Sequence, residues 1–351
     1  MKKLYIAIAF IFLLTSCWEV EQAQESTTQN AQPALVNNIE EAQDEQQALL
    51  VTSSIIPISS VIKAIGQEYV EVDNIIPAGV SPHGFDMSAQ QRARLEAAEL
   101  VFMTWLDHID GFLGKSVSED VQIHLADGME LLEIEAHDHD DHKDHEDEHH
   151  EDEHSDEEHH DEDEHHEDED EHESEKHHDD HSSDPHVWLG KNNIMTIAQS
   201  IETELTERLP GQAAYFSENR QKFETELSTI YNEFTENTQW KTPQEFIVFH
   251  DAYNYIFESI GLDANFKIPF SENVLHDTWT AHMAELIDEI KLHDIKYIFR
   301  EPQFSDSNLN TLIDEYGLSV YTLDPLGTDI STEGYLMNLR NNLDALKNIY
   351  E

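Results

Sequence analysis

The sequence predicts an α/β protein of two lobes, each a four-stranded parallel sheet flanked by helices, with one long helix joining them. Three observations predict this. Short apolar segments alternate with amphipathic ones. Four strand candidates precede a long acidic insertion and four follow it, which divides the strands into two sheets. Between the two sets, residues 191–239 are helical in pattern almost throughout. Strands alternating with helices imply parallel pairing with helices on both faces.

The first sixteen residues, MKKLYIAIAFIFLLTS, combine a lysine pair with an apolar stretch too short to span a bilayer, and read as a secretory signal peptide. Leu14-Thr15-Ser16-Cys17 resembles the lipobox of bacterial lipoproteins, in which the cysteine carries the lipid. Residues 17–47 are polar and poor in apolar groups, a composition that does not bury enough surface to fold, so they are expected to be a disordered tether.

Residues 48–210 form the expected N-terminal lobe. Its strand candidates are Leu49–Ile56, Val70–Ile76, Leu100–Thr104 and Val121–Leu125, with helices at Val61–Glu68 and Ala89–Ala98. Pro210-Gly211 breaks the long helical stretch. Beyond it, Phe216, Phe223, Leu227, Ile230 and Phe234 follow helical spacing and mark residues 211–240 as the linking helix. Residues 241–351 form the C-terminal lobe. Its strands are expected at Phe246–His250, Asn265–Ile268, Tyr297–Arg300 and Ser319–Leu323, and its helices include Thr280–Leu292 and Ser307–Tyr316.

Charge restricts the partners. The net charge is -56, and residues 137–181 hold 26 acidic residues, 15 of the 23 histidines and two lysines. That run accounts for -24, so the remainder is itself strongly acidic. Nucleic acid and anionic lipid are repelled by such a surface, and cations are its natural small partners. The run itself is too polar to pack and is expected to be a disordered loop insertion. Cys17 is the only cysteine, so no disulfide forms within the chain and an apolar core must hold the fold.

Eight histidines lie outside the run, and three stand where strands end. His83 follows the second strand in SPHGFD, His186 stands in DPHVWLG where the acidic run ends, and His250 closes EFIVFH. Asp324 follows the last strand in TLDPLG. Open parallel sheets bind ligands at the carboxyl ends of their strands. Three imidazoles and one carboxylate make an N3O set that suits Zn2+. Each residue alone also has a plain structural reading: a loop hydrogen bond for any one histidine, a turn before Pro325 for Asp324. His108, His124, His276, His282 and His293 have no such placement and read as surface or structural residues.

SPHGFD, DPHVWL, FHDAY, REPQF and TLDPLGT, in that order, resemble the motifs of the metal-binding solute-binding proteins of bacterial ABC importers, the cluster A-I family, and within it the zinc-specific branch. The resemblance covers roughly residues 48–351. It implies two lobes with the metal in the cleft between them, His83, His186 and His250 as imidazole ligands, and Asp324 as the carboxylate ligand. Zinc members commonly carry a His-rich acidic loop before the second motif, as here. Manganese and iron relatives usually have a carboxylate at the position of His250, and a third imidazole favours zinc over harder ions. Gly190 stands where many members have an acidic or polar residue, and Pro82 where some have a ligating Glu, so the fourth ligand is Asp324, a water or a residue of the run. Asp251, Glu301 and Gln303 are candidates for orienting the ligands.

The function this implies is capture of Zn2+ outside the cytoplasmic membrane and delivery to a permease and ATPase, by a lipid-anchored monomer without catalysis. Three alternatives stand beside it: a manganese or iron member of the family, a zinc hydrolase, and a passive metal buffer built on the run. A hydrolase is disfavoured because HExxH, GxSxG and a phosphate loop are all missing from the sequence.

Overall fold

A computed structural model describes residues 48–106, 109–133, 183–271, 279–305, 309–331 and 333–350. All of them belong to the unit Gln46–Glu351. The leader, Cys17 and its tether, the run 137–181, His108 and His276 lie outside the described residues.

The first sheet contains β1 (Leu49–Ser53), β2 (Val70–Asn74), β3 (Leu100–Met103) and β4 (Gln122–His124), all parallel, in the order β2-β1-β3-β4. The second contains β5 (Phe246–His250), β6 (Lys267–Ser271), β7 (Tyr297–Arg300) and β8 (Ser319–Thr322), and repeats the plan as β6-β5-β7-β8. Among the described residues, eight α-helices accompany them: α1 (Ile56–Gly66), α2 (Ala89–Leu95), α3 (Lys191–Arg208), α4 (Ala213–Thr238), α5 (Asn254–Ile260), α6 (Trp279–His293), α7 (Leu309–Tyr316) and α8 (Gly334–Leu346). The expected two-sheet α/β architecture is therefore present.

Pro210-Gly211 separates α3 from α4, as the sequence indicates. The 26 residues of α4 span about 39 Å at 1.5 Å per residue. Its buried face, including Phe216, Phe223, Leu227, Ile230 and Phe234, packs against α1, α3 and α8, so it touches helices that follow strands of both sheets.

Three local expectations need correction. β1 ends at Ser53, short of the expected Ile56. The chain turns into α1 at Ile56, five residues before the expected start, with Pro57 in the first turn, where its missing N–H has no intrahelical partner to lose. Hydropathy misplaces this boundary because almost every residue of α1 is buried, so no polar face marks the helical period. β6 begins at Lys267 rather than Asn265, because Asp263 caps a 3-10 turn over Ala264–Phe266. The periodicity singles out neither α5 nor α8.

The core ties both sheets together. One apolar cluster runs from Val51, Val101 and Phe102 through Trp188 to Phe246, Val248 and Leu339. A smaller one holds Ile247, Phe249, Leu286, Ile298 and Leu309. Successive residues of β5 thus alternate between the two clusters, the period-2 signature of a strand buried on both faces.

Candidate metal centre

His83 lies in the loop after β2. Its backbone N–H donates to Ser81 Oγ at 3.2 Å, and Gly84 behind it takes a positive φ of 74°, a backbone conformation that favours glycine. His186 precedes a 3-10 turn at Val187–Leu189 and is 4% exposed. His250 is the last residue of β5 and is 5% exposed. The three expected histidines come from three separate chain segments, and their ligating nitrogens all lie within 4.8 Å of one another.

The Nε2 atoms form the vertex. His83 Nε2 is 3.3 Å from His186 Nε2, which is 3.4 Å from His250 Nε2. The three rings meet edge to face, with interplanar angles of 66°, 84° and 65°. Nitrogens about 2.0–2.1 Å from a tetrahedral zinc ion stand about 3.3–3.4 Å apart, which is the spacing seen here.

Two carboxylates decide which nitrogen faces inward. His186 Nδ1 donates to Asp184 Oδ1 at 2.8 Å, and the His186 backbone N–H donates to the same oxygen at 2.9 Å. His250 Nδ1 donates to Glu301 Oε1 at 2.7 Å. A proton held on Nδ1 leaves the Nε2 lone pair free for a metal and strengthens it as a donor. Burial pushes the His250 imidazole down, but Glu301, helped by Asp251 and Asp184, outweighs it and holds the ring above its usual value. Pro82, Trp188, Phe304, Pro325 and Leu326 line the rest of the cleft, and such apolar walls make each of these charge interactions stronger than it is in water.

Of the three residues read as orienting groups, only Glu301 bonds a ring of the cluster in the hydrogen bonds described. Asp251 pairs with Lys267, and Gln303 donates to Asp324 at 2.8 Å. Asp184 carries no mark in sequence except its place two residues before His186 in DPH. The Asp-x-His spacing, which lets one carboxylate take both the backbone and ring N–H of His186, is the signal that would have found it. Gly190 marks close packing: a Cβ there would stand 3.1 Å from that of Tyr255.

Asp324 is not among the described residues whose ligand atoms all lie within 4.8 Å of one another. Its Oδ1 accepts from Gln303 Nε2 and from the backbone N–H groups of Leu326 and Gly327, at 3.0 and 2.9 Å. These bonds make it the residue that shapes the loop placing Pro325 and Leu326 on the cleft wall. Asp324→Asn, which keeps an acceptor oxygen, should therefore hold zinc within about threefold of wild type, whereas Asp324→Ala should weaken it about tenfold. Competitive zinc titration of both variants checks this. Equal losses in the two would make the carboxylate charge, and so direct ligation, the relevant property.

A cleft walled by apolar side chains, with three imidazoles converging at the spacing of one tetrahedral ion, defines a two-lobed binding protein for a divalent metal. Comparison with known proteins agrees. The family model ZnuA, zinc-uptake complex component A periplasmic, matches residues 51–349, and the chain belongs to this family of ABC-importer solute-binding proteins. High-affinity zinc uptake system protein ZnuA of Haemophilus ducreyi is 31% identical over 286 residues, 80% of this chain and 86% of that protein. Its counterpart in Haemophilus influenzae is 33% identical over 295 residues, with the same coverage. A crystal structure of ZnuA superimposes with a TM-score of 0.64 at 24% identity, covering 87% of this chain and 100% of that one.

Proposed function

We propose that this protein captures Zn2+ outside the cytoplasmic membrane and hands it to an ABC permease and ATPase. The observation that carries the reading is the convergence of three imidazoles, with His83 Nε2 and His250 Nε2 at 3.3 and 3.4 Å from His186 Nε2. Zinc is the cargo of this site. The three imidazoles hold it, Asp184 and Glu301 orient two of them, and a water or other oxygen takes the fourth position. An all-imidazole protein set favours zinc over manganese or iron, which prefer oxygen donors.

Around this site the rest of the chain has supporting roles. Residues 1–16 direct export, Cys17 carries the lipid that anchors the protein on the extracytoplasmic side, and residues 17–47 are the tether. Residues 48–210 and 241–351 are the two lobes, residues 211–240 the helix between them, and the working form is the monomer. The run 137–181 collects zinc at weak, variable sites and, being attached just before His186, raises its effective concentration at the cleft.

Titration of the mature chain without residues 137–181 tests both halves of the reading. The expected result is one tight Zn2+ equivalent, out-competing Mn2+ and Fe2+, with only the additional weak equivalents lost. If the tight equivalent disappears with the run, the run supplies a ligand and the division of labour is wrong. Preference for Mn2+ or Fe2+ would instead favour the alternative cargo.

A further inference from the structure

Behind the site, side chains of the two lobes are joined by a second set of contacts. Asp184, which is fully buried, accepts from His186 through Oδ1 and from Asn254 Nδ2 through Oδ2, the latter at 2.9 Å. Asn254 opens α5, in the other lobe. Its amide oxygen accepts from Lys267 Nζ at the start of β6, and the same ammonium pairs with Asp251, the residue after His250. The side chains of Lys267 and Asp251 are only 10% and 13% exposed. An ammonium only donates and a carboxylate only accepts, so the amide between them has a single orientation that satisfies both.

We propose that Asn254 and Lys267 are positioning residues for the metal site. The relay Lys267–Asn254–Asp184 clamps the His186 ring from the opposite lobe and so sets how long the cleft retains its ion. This rests on the reading of the three histidines as ligands. Two arguments support it. The first is satisfaction: Asn254 is the side chain that donates to Asp184 Oδ2, and a buried carboxylate oxygen deprived of its donor would pull Asp184, and with it the imidazole, out of place. The second is charge. Asp184, Asp251 and Glu301 stand behind the ligand rings, and one ammonium plus one divalent ion balances three carboxylates. Because the relay crosses between lobes, a shift of α5 by about one hydrogen-bond length frees His186 without parting the sheets.

The test uses the full chain loaded with one equivalent of Zn2+. Asn254→Leu should release zinc to a chelator about 10- to 100-fold faster than wild type, while far-UV circular dichroism is unchanged. In the zinc-free variant the imidazole 15N signals of His186 should move and those of His250 should stay. Lys267→Arg, which keeps the cation, should retain slow release. Lys267→Met combined with Asn254→Leu should add little to Asn254→Leu alone, because one relay is cut twice. Release within twofold of wild type in a folded Asn254→Leu protein overturns the proposal. So does a common shift of the His83, His186 and His250 signals, which marks general loosening. If His83→Ala releases zinc no faster than wild type, the ligand reading itself fails. A histidine-dependent site that ignores Asn254→Leu sinks the relay alone.

Discussion

Single replacement of His83, His186 or His250 by Ala is expected to remove the tight zinc site, with affinity falling at least about 100-fold, or about 2.7 kcal/mol. The geometry explains why the loss is large for each. His186 Nε2 already stands from its two neighbours at the separation a tetrahedral ion imposes, and among the described residues no fourth imidazole joins the group. His186→Ala and His250→Ala also strand a buried carboxylate, Asp184 or Glu301, whose ring partner is gone. His83 is half-buried and lies in a loop outside both apolar clusters, so its replacement disturbs the core least. The fold survives in each case because the apolar clusters that hold both sheets contain none of the three. Competitive titration with a zinc chelator, alongside thermal melting of the zinc-free proteins, reads both quantities. A variant that melts normally and keeps wild-type affinity would remove that histidine from the ligand set.

Acid is expected to empty the site, beginning at a higher pH than for free histidine. Only the unprotonated imidazole ligates, and the fold holds His250 above the free value of about 6.5. The sign follows for each state. In the metal-free protein the raised His250 value contributes stability that is fully present below about pH 6.5 and is lost as pH rises through the folded value. In the zinc-loaded protein the dependence is opposite, because binding displaces that proton. Zinc-induced stabilisation should therefore be large at pH 8 and fall as pH passes through the His250 value, shrinking from both sides. Melting with and without zinc across a pH series measures it. Glu301→Gln keeps an acceptor for Nδ1 but removes the charge, and should move the acid edge to lower pH. An edge that does not respond to Glu301→Gln would show that the ion pair with His250 does not govern proton competition.

Much of the architecture is legible in the sequence for a local reason. Strands such as Phe246–His250 are short, apolar and bounded by turn residues, so hydropathy alone places them, and the alternation with helices dictates parallel pairing. The histidines are legible for a related reason: parallel sheets present their ligand groups where strands end, and His250 ends β5 while His83 follows β2. Where burial is complete the local signal fails. α1 has no polar face, so its start merges with β1, and α5 is too short for the helical period to show.

The two-sheet plan, the break between α3 and α4 and the strand-end placement of three histidines are all readable locally, because each rests on periodicity or on position within a single element. Which side chains stand behind those histidines depends on how distant segments pack. Asp184 meets Asn254 across seventy positions of sequence, and Glu301 meets His250 across fifty-one. Tertiary packing also decided that Asp324, a plausible ligand by its place at a strand end, turns its Oδ1 to Gln303 and the backbone of its own loop. A carboxylate accepts whatever donor lies nearest, and which donor that is depends on how the lobes pack, which no local pattern of residues records.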